Sequence, residues 1–152
     1  TNAAAPFTAA LDRLEGYRQA VEAAGLPYDE ALVRFGDFGP ESGYQQMNDL
    51  LDSGAPFTAA FVASDVVAVG ALAALHQRGR RVPEDISLAG FDDVAMAAYT
   101  APPLTTIHLP ISELARHSCL TLLDLIQGNQ PEERHVVLDT HLVVRKSTAA
   151  RR

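Results

Sequence analysis

Two short polar pairs carry most of the chemistry that this sequence could perform. Ser64-Asp65 follows the apolar run 57–63, and Asp92-Asp93 follows the apolar run 86–91. In open α/β sheets, ligands bind in the crevice beyond the carboxyl ends of parallel strands. A carboxylate placed there accepts hydroxyl protons on both oxygens, which suits a sugar or another polyol. Adjacent strand-end side chains point to opposite sides, so Asp92 and Asp93 are not an acid–base dyad. Asp92 is the first candidate for ligand contact, its alternative being a cap on the turn at Val94. Asp93 reads as a cap or a salt-bridge partner, and Asp65 as a residue that caps and orients its neighbours. Ser64 either donates to a ligand or N-caps the helix that follows. Arg13 offers a planar fork of donors that fits vicinal hydroxyls, carboxylates or phosphates; its alternative is a surface arginine on an amphipathic helix. Phe38, in a turn flanked by Gly36 and Gly39, either stacks on a sugar ring or base, or anchors its loop.

The elements that must position these groups follow from periodicity. Leu11, Leu14, Tyr17, Val21 and Ala24 recur at helical spacing, predicting a helix over 8–24 that Gly25 ends. Residues 32–35 read as a short strand and 36–40 as a turn. Ser42 opens a second helix with Tyr44, Met47, Leu50 and Leu51 inward, ended by Gly54 and Pro56. The run 57–63 is apolar except for Thr58, as in a strand buried on both faces of a parallel sheet. A helix over 66–78, a strand over 86–91, a helical turn over 94–99 and a strand over 105–109 follow. A long helix begins at Pro110 or Ile111 and ends at Gly128, and 136–138 and 142–144 read as two short closing strands. Alternating helices and strands predict a doubly wound α/β fold with a parallel sheet. Right-handed crossovers then bring the turns 36–40, 64–65 and 92–93 to one rim.

Composition narrows the function classes. The 152 residues are one domain's worth of chain, 47% hydrophobic and 20% charged, as in a soluble globular domain. A net charge of -7 argues against this chain gripping nucleic acid alone. The basic runs at 78–81 and 151–152 read as a solvated loop and a tail. The single Cys119 precludes an internal disulfide, fits a reducing cytoplasm, and reads as a small buried side chain. No apolar run approaches the ~20 residues of a membrane span, and no charged-then-apolar signal segment begins the chain. The five histidines show no metal-ligand spacing. No phosphate loop, dinucleotide fingerprint or nucleophile elbow appears, so neither an enzyme nor a cofactor is expected.

Five ordered motifs resemble one family. They are Arg13-Leu14-Glu15-Gly16-Tyr17-Arg18-Gln19-Ala20; Ala63-Ser64-Asp65 with Ala68 and Gly70-Ala71-Leu72; Arg81-Val82-Pro83-Glu84-Asp85-Ile86-Ser87 with Gly90-Phe91-Asp92-Asp93; Pro102-Pro103-Leu104-Thr105-Thr106; and Leu142-Val143-Val144-Arg145-Lys146-Ser147-Thr148. Together they look like the effector-binding domain of the lactose-repressor (LacI/GalR) family of bacterial transcription regulators, over residues 11–148. The resemblance implies a two-subdomain, periplasmic-binding-protein-like fold behind a helix-turn-helix DNA reader. It implies ligand contacts at the positions of Arg13 and Asp92.

By that resemblance residues 1–152 are a fragment of the effector-binding domain, covering mainly its C-terminal subdomain, and 106–127 belong to the N-terminal subdomain. The DNA reader and the first half of the effector domain are absent from this expectation of the chain. The function implied is a cytoplasmic repressor-type regulator that binds a small polar effector, a sugar in class, and controls DNA binding allosterically. Operator DNA would be met only through the separate reader. Segments 68–72 and 96–99 are read either as a homodimer interface or as ordinary core. The alternative reading is a periplasmic sugar-binding protein of a transport system, which shares the fold and pocket logic.

Overall fold

A computed structural model describes residues 8–130 and 135–150. Four strands form one sheet in the order β1 (Ala59–Phe61), β2 (Ser87–Asp92), β3 (Thr105–His108), β4 (His141–Val143). β1, β2 and β3 are parallel, in the registers Ala60↔Leu88 and Gly90↔Thr106. β4 is antiparallel to β3, with Ile107 opposite Leu142. The sheet is therefore parallel-dominated with one antiparallel edge, a common form of doubly wound sheet. The helices are α1 (Thr8–Ala23), α2 (Pro40–Asp52), α3 (Asp65–Gln77) and α4 (Ile111–Ile126).

The core lies where α2 and α3 cover one sheet face. Met47, Ala68, Ala71, Leu72, Ala74, Leu75, Ile86, Leu88, Ala97 and Leu104 form it. Fully burying each large aliphatic there contributes about 1.5–3 kcal/mol. The two helices approach to backbone contact: a Cβ on Gly70 would stand 1.7 Å from the Pro40 carbonyl oxygen, and one on Gly43 would stand 2.0 Å from that of Val67. Side chains alternate along β2, so Leu88 and Gly90 are buried toward α3 while Ala89 and Phe91 are half-buried on the other face. There the Arg13 guanidinium of α1 stands over the Phe91 ring, 4.6 Å from its centroid.

Several expectations are corrected. Residues 32–35 do not join the sheet; a 3-10 turn, Glu30–Leu32, is followed by irregular chain. Local bonds compete with strand pairing here. Asp29 Oδ1 accepts from Ala31 N, and Arg34 Nη1 donates to the Ala31 and Val33 carbonyls. β1 is consequently an edge strand with Ala59 and Phe61 exposed, rather than buried on both faces. Residues 136–138 form no strand, and Val137 is exposed. α2 begins at Pro40 rather than Ser42, because Pro suits the first helical position. Cys119 is exposed, not buried, because α4 has no buried residue. Segment 68–72 is core: Ala68, Ala71 and Leu72 are buried against the sheet.

Candidate functional site

The site begins with the backbone at the end of β2. Asp92 has φ 112° and Asp93 φ 58°, two successive residues in the left-handed half of backbone space. Short polar side chains tolerate this region better than others, though at a cost that surrounding bonds must offset. Asp65 provides those bonds. It is fully buried at the start of α3; its Oδ2 accepts from Val94 N at 3.0 Å and its Oδ1 accepts from Thr106 Oγ1 at 2.6 Å. A side chain at position 90 would strike that carboxylate, since a Cβ on Gly90 would lie 2.2 Å from Asp65 Oδ1. Burial pushes the Asp65 carboxyl above its ordinary range, against the hydrogen bonds from Thr106 and Val94. Asp65 thus caps and orients, as its position in sequence suggests.

The strained turn sends its two carboxylates to different partners. Asp92 lies near enough to Ser64, Arg13 and Asp65 for all three to act on its charge. Burial pushes its carboxyl up; the Ser64 hydroxyl and Arg13 oppose that rise, and the Asp65 charge adds to it. Ser64 occupies the N-cap position of α3 but makes no side-chain cap bond, and its hydroxyl lies near Asp92. Asp93 faces the other way: its Oδ1 accepts from Arg145 Nη2 at 2.6 Å, and its Oδ2 lies 2.9 Å from His108 Nδ1. Burial acts to raise the Asp93 carboxyl, but the bonds from Arg145 and His108 outweigh it, leaving Asp93 below its ordinary range. It is a salt-bridge partner, one of the two roles its sequence position allowed.

Arg13 completes the polar cluster. Its guanidinium stands over the Phe91 ring and close enough to Asp92 to act on it, yet Arg13 and Asp92 form no ion pair. Phe38 is 56% exposed on the loop entering α2. The first turn of α2 packs on the first turns of α3, as the Gly43–Val67 approach shows, so Phe38 and Ser64 stand at the same end of this helical layer. The bonds and charge interactions that define the cluster involve Ser64, Asp92 and Arg13. A separate apolar cavity of about 110 Å3 lies between α1, residues 32–34, α2 and β1, lined by Leu14, Tyr17, Val33, Met47 and Phe57 among others. Of the four candidates, only Arg13 borders it.

Sequence reasoning missed the roles of Phe91, His108, Arg145 and Ser147. Ser147 is fully buried: its Oγ donates to the Leu88 carbonyl at 2.6 Å and accepts from Thr105 N at 2.7 Å, joining β2 to β3. Arg145 also donates through Nη1 to the Leu104 carbonyl at 2.8 Å. The polar run after the apolar stretch 142–144 hinted at Arg145 and Ser147 alone. Among the described residues, no group of three His, Cys, Asp or Glu side chains is placed to hold a metal, and no helix is long and apolar enough to cross a membrane.

Comparison with known proteins agrees with this architecture. Residues 3–148 match the family described as periplasmic binding protein-like domain. The chain is 44% identical over 141 residues to the HTH-type transcriptional regulator CelR of Thermobifida fusca, covering 93% of this chain and 42% of that protein. It superposes on a CelR–cellobiose complex with a TM-score of 0.88 and 42% identity, over 97% of this chain and 46% of that one. A LacI-family regulator from Enterococcus faecium with bound ribose gives a TM-score of 0.85 at 33% identity, over 97% of this chain and 55% of that one. The chain thus spans about two-fifths of the curated relative it matches. With this fold, these ordered motifs and these relatives, the chain belongs to the periplasmic binding protein-like domains, in the form carried by LacI-family transcriptional regulators.

Proposed function

We propose that this chain is part of the effector-sensing domain of a bacterial LacI-family regulator, one that binds a small neutral sugar and thereby controls DNA binding. One observation carries the reading: the Asp92 carboxylate lies near enough to the Arg13 guanidinium for their charges to interact, yet the two form no ion pair. An acceptor-only group and a donor-only group held apart call for a ligand with both donors and acceptors, which vicinal hydroxyls supply. A net-neutral pair gives no advantage to a charged ligand. Cellobiose and ribose in the similar structures are ligands of this class. Phe38 offers an exposed ring at the same end of the α2–α3 layer, available to stack on a sugar face.

Whole-protein features belong to this proposal. α4 lies within 106–127 and exposes Ile111, Leu114, Leu122, Leu125 and Ile126. Such a surface needs a cover, which the N-terminal subdomain of a complete effector domain would provide; residues 105–108 instead belong to the sheet with β2. Met96 and Tyr99 are exposed at 59% and 86% beside buried Ala97, and Val66 at 42%. That patch supports a homodimer. A cytoplasmic location, a helix-turn-helix reader that meets operator DNA, and action by binding rather than turnover follow from the regulator reading. The effector acts by binding two states of the protein with different affinity. The regulator names of the relatives favour this over a periplasmic transport protein.

The test is calorimetric titration and thermal shift of the full-length protein with cellobiose and ribose. At a hundredfold excess over Kd, the melting temperature should rise by roughly 5–10 °C, and the sugar should change operator affinity. Binding that persists undiminished in Asp92→Ala, or no response to any neutral sugar, would overturn the reading.

A further inference from the structure

Phe91 has no role in the proposed contacts, yet its ring lies under the one cation of the site. The Arg13 carbon Cζ is 4.6 Å from the ring centroid, inside the range of a cation–π contact. Phe91 is half-buried and pinned by the sheet, its backbone in register with Ile107 of β3. It also immediately precedes Asp92. An arginine side chain has several free torsions, and Arg13 is near enough to Asp92 to act on its charge. Left unconstrained, a guanidinium beside a desolvated carboxylate closes to a bidentate pair. That closure would consume the donors and acceptors that a ligand needs. Here the two form no ion pair, and the Phe91 ring lies against the guanidinium.

We infer that Phe91 is a positioning residue: its ring holds the Arg13 guanidinium flat and away from Asp92, keeping both groups ready for an effector. This inference rests on the effector site proposed above. It assigns Phe91 an action through Arg13 rather than a contact with ligand, and it requires an aromatic ring at position 91 rather than mere bulk. Tyr keeps the ring and its quadrupole; Leu and Met keep apolar volume alone.

Two readouts test it in the full-length protein. The first needs no ligand. The Arg13 Nε–Hε resonance, assigned by its loss in Arg13→Lys, should carry a ring-current displacement in the parent and in Phe91→Tyr. It should move to the ordinary arginine region in Phe91→Leu, and in Phe91→Met should the leucine variant not fold. A resonance unmoved by loss of the ring overturns the inference. The second readout is titration with cellobiose and with ribose. For whichever sugar binds, Phe91→Leu should weaken affinity roughly three- to thirtyfold, with Phe91→Tyr restoring it. In an Arg13→Met background the leucine change should add nothing further. Equal losses in both backgrounds overturn a role through Arg13. If neither sugar binds the parent protein, the sugar reading fails by itself, and the ring-current shift still decides whether Phe91 places Arg13.

Discussion

Arg145 Nη2 lies 2.6 Å from Asp93 Oδ1. This contact ties the turn after β2 to the chain leaving β4, next to the carboxylate proposed to meet the effector. His108 holds the other oxygen of Asp93 from β3 and stacks beside His141 of β4, their ring centroids 4.8 Å apart. One carboxylate therefore clamps three consecutive strands at the rim.

Breaking this clamp should cost stability in a pH-dependent way. The Asp93 side chain is 16% exposed and that of Arg145 20%, so solvent screens the pair only in part. Asp93→Asn, which suits the positive φ, should lower stability by about 2 kcal/mol near neutrality. The folded carboxyl titrates below its ordinary value. Its contribution is therefore present above the unfolded pKa of ~3.9 and disappears as pH falls through the folded value. Melting curves of parent and variant should differ most at neutral pH and converge below about pH 4. A constant gap across that range would show that the clamp is not ionic.

Asp92 should show the opposite sign. Burial raises its carboxyl in the fold, so ionising it costs stability as pH rises above the unfolded value. Asp92→Asn should raise the melting temperature of the ligand-free protein by a few degrees at pH 7, with the gain fading toward pH 4. The same change should weaken sugar binding by at least about tenfold, because a charged acceptor is lost. A variant that is both less stable and equally tight in binding would contradict the assignment.

Ser147 tests the seam between β2 and β3. Removing its hydroxyl leaves the Leu88 carbonyl without that donor and Thr105 N–H without its acceptor, both in buried surroundings. Ser147→Ala should cost about 2–3 kcal/mol, seen in urea as a lower midpoint with an unchanged slope. A loss under about 0.5 kcal/mol would mean that the seam is held elsewhere.

Two glycines should respond in opposite directions to alanine. At Gly70 the new Cβ meets the Pro40 backbone carbonyl at 1.7 Å, and the backbone cannot step aside cheaply. Gly70→Ala should destabilise by about 1–3 kcal/mol or more. At Gly16, inside α1, nothing lies within 4 Å, so Gly16→Ala should stabilise by about 0.5–1 kcal/mol. Thermal unfolding of the two single variants separates the outcomes; equal effects would contradict the α2–α3 contact.

Much of this molecule was legible in the chain alone. The apolar periods of 8–24 and 111–126, and the glycines that end α1, α3 and α4 with positive φ, mark helices because those signals are local. The placement of Asp92 at a strand end was legible from the apolar run before it, but the positive φ of Asp92 and Asp93, rather than strand alternation, turns Asp93 to another partner. The strand expected over 32–35 fails because Asp29 and Arg34 satisfy that backbone locally, a competition that apolar spacing does not register. Cys119 and α4 are exposed because burial depends on what covers a helix, not on its own residues. Pairings that span 52 positions, such as Asp93 with Arg145, or 59, such as Leu88 with Ser147, leave no periodic trace. Only the folded sheet decides them, because it brings the end of β2 against the chain that leaves β4 and turns a polar tail into the seam of the site.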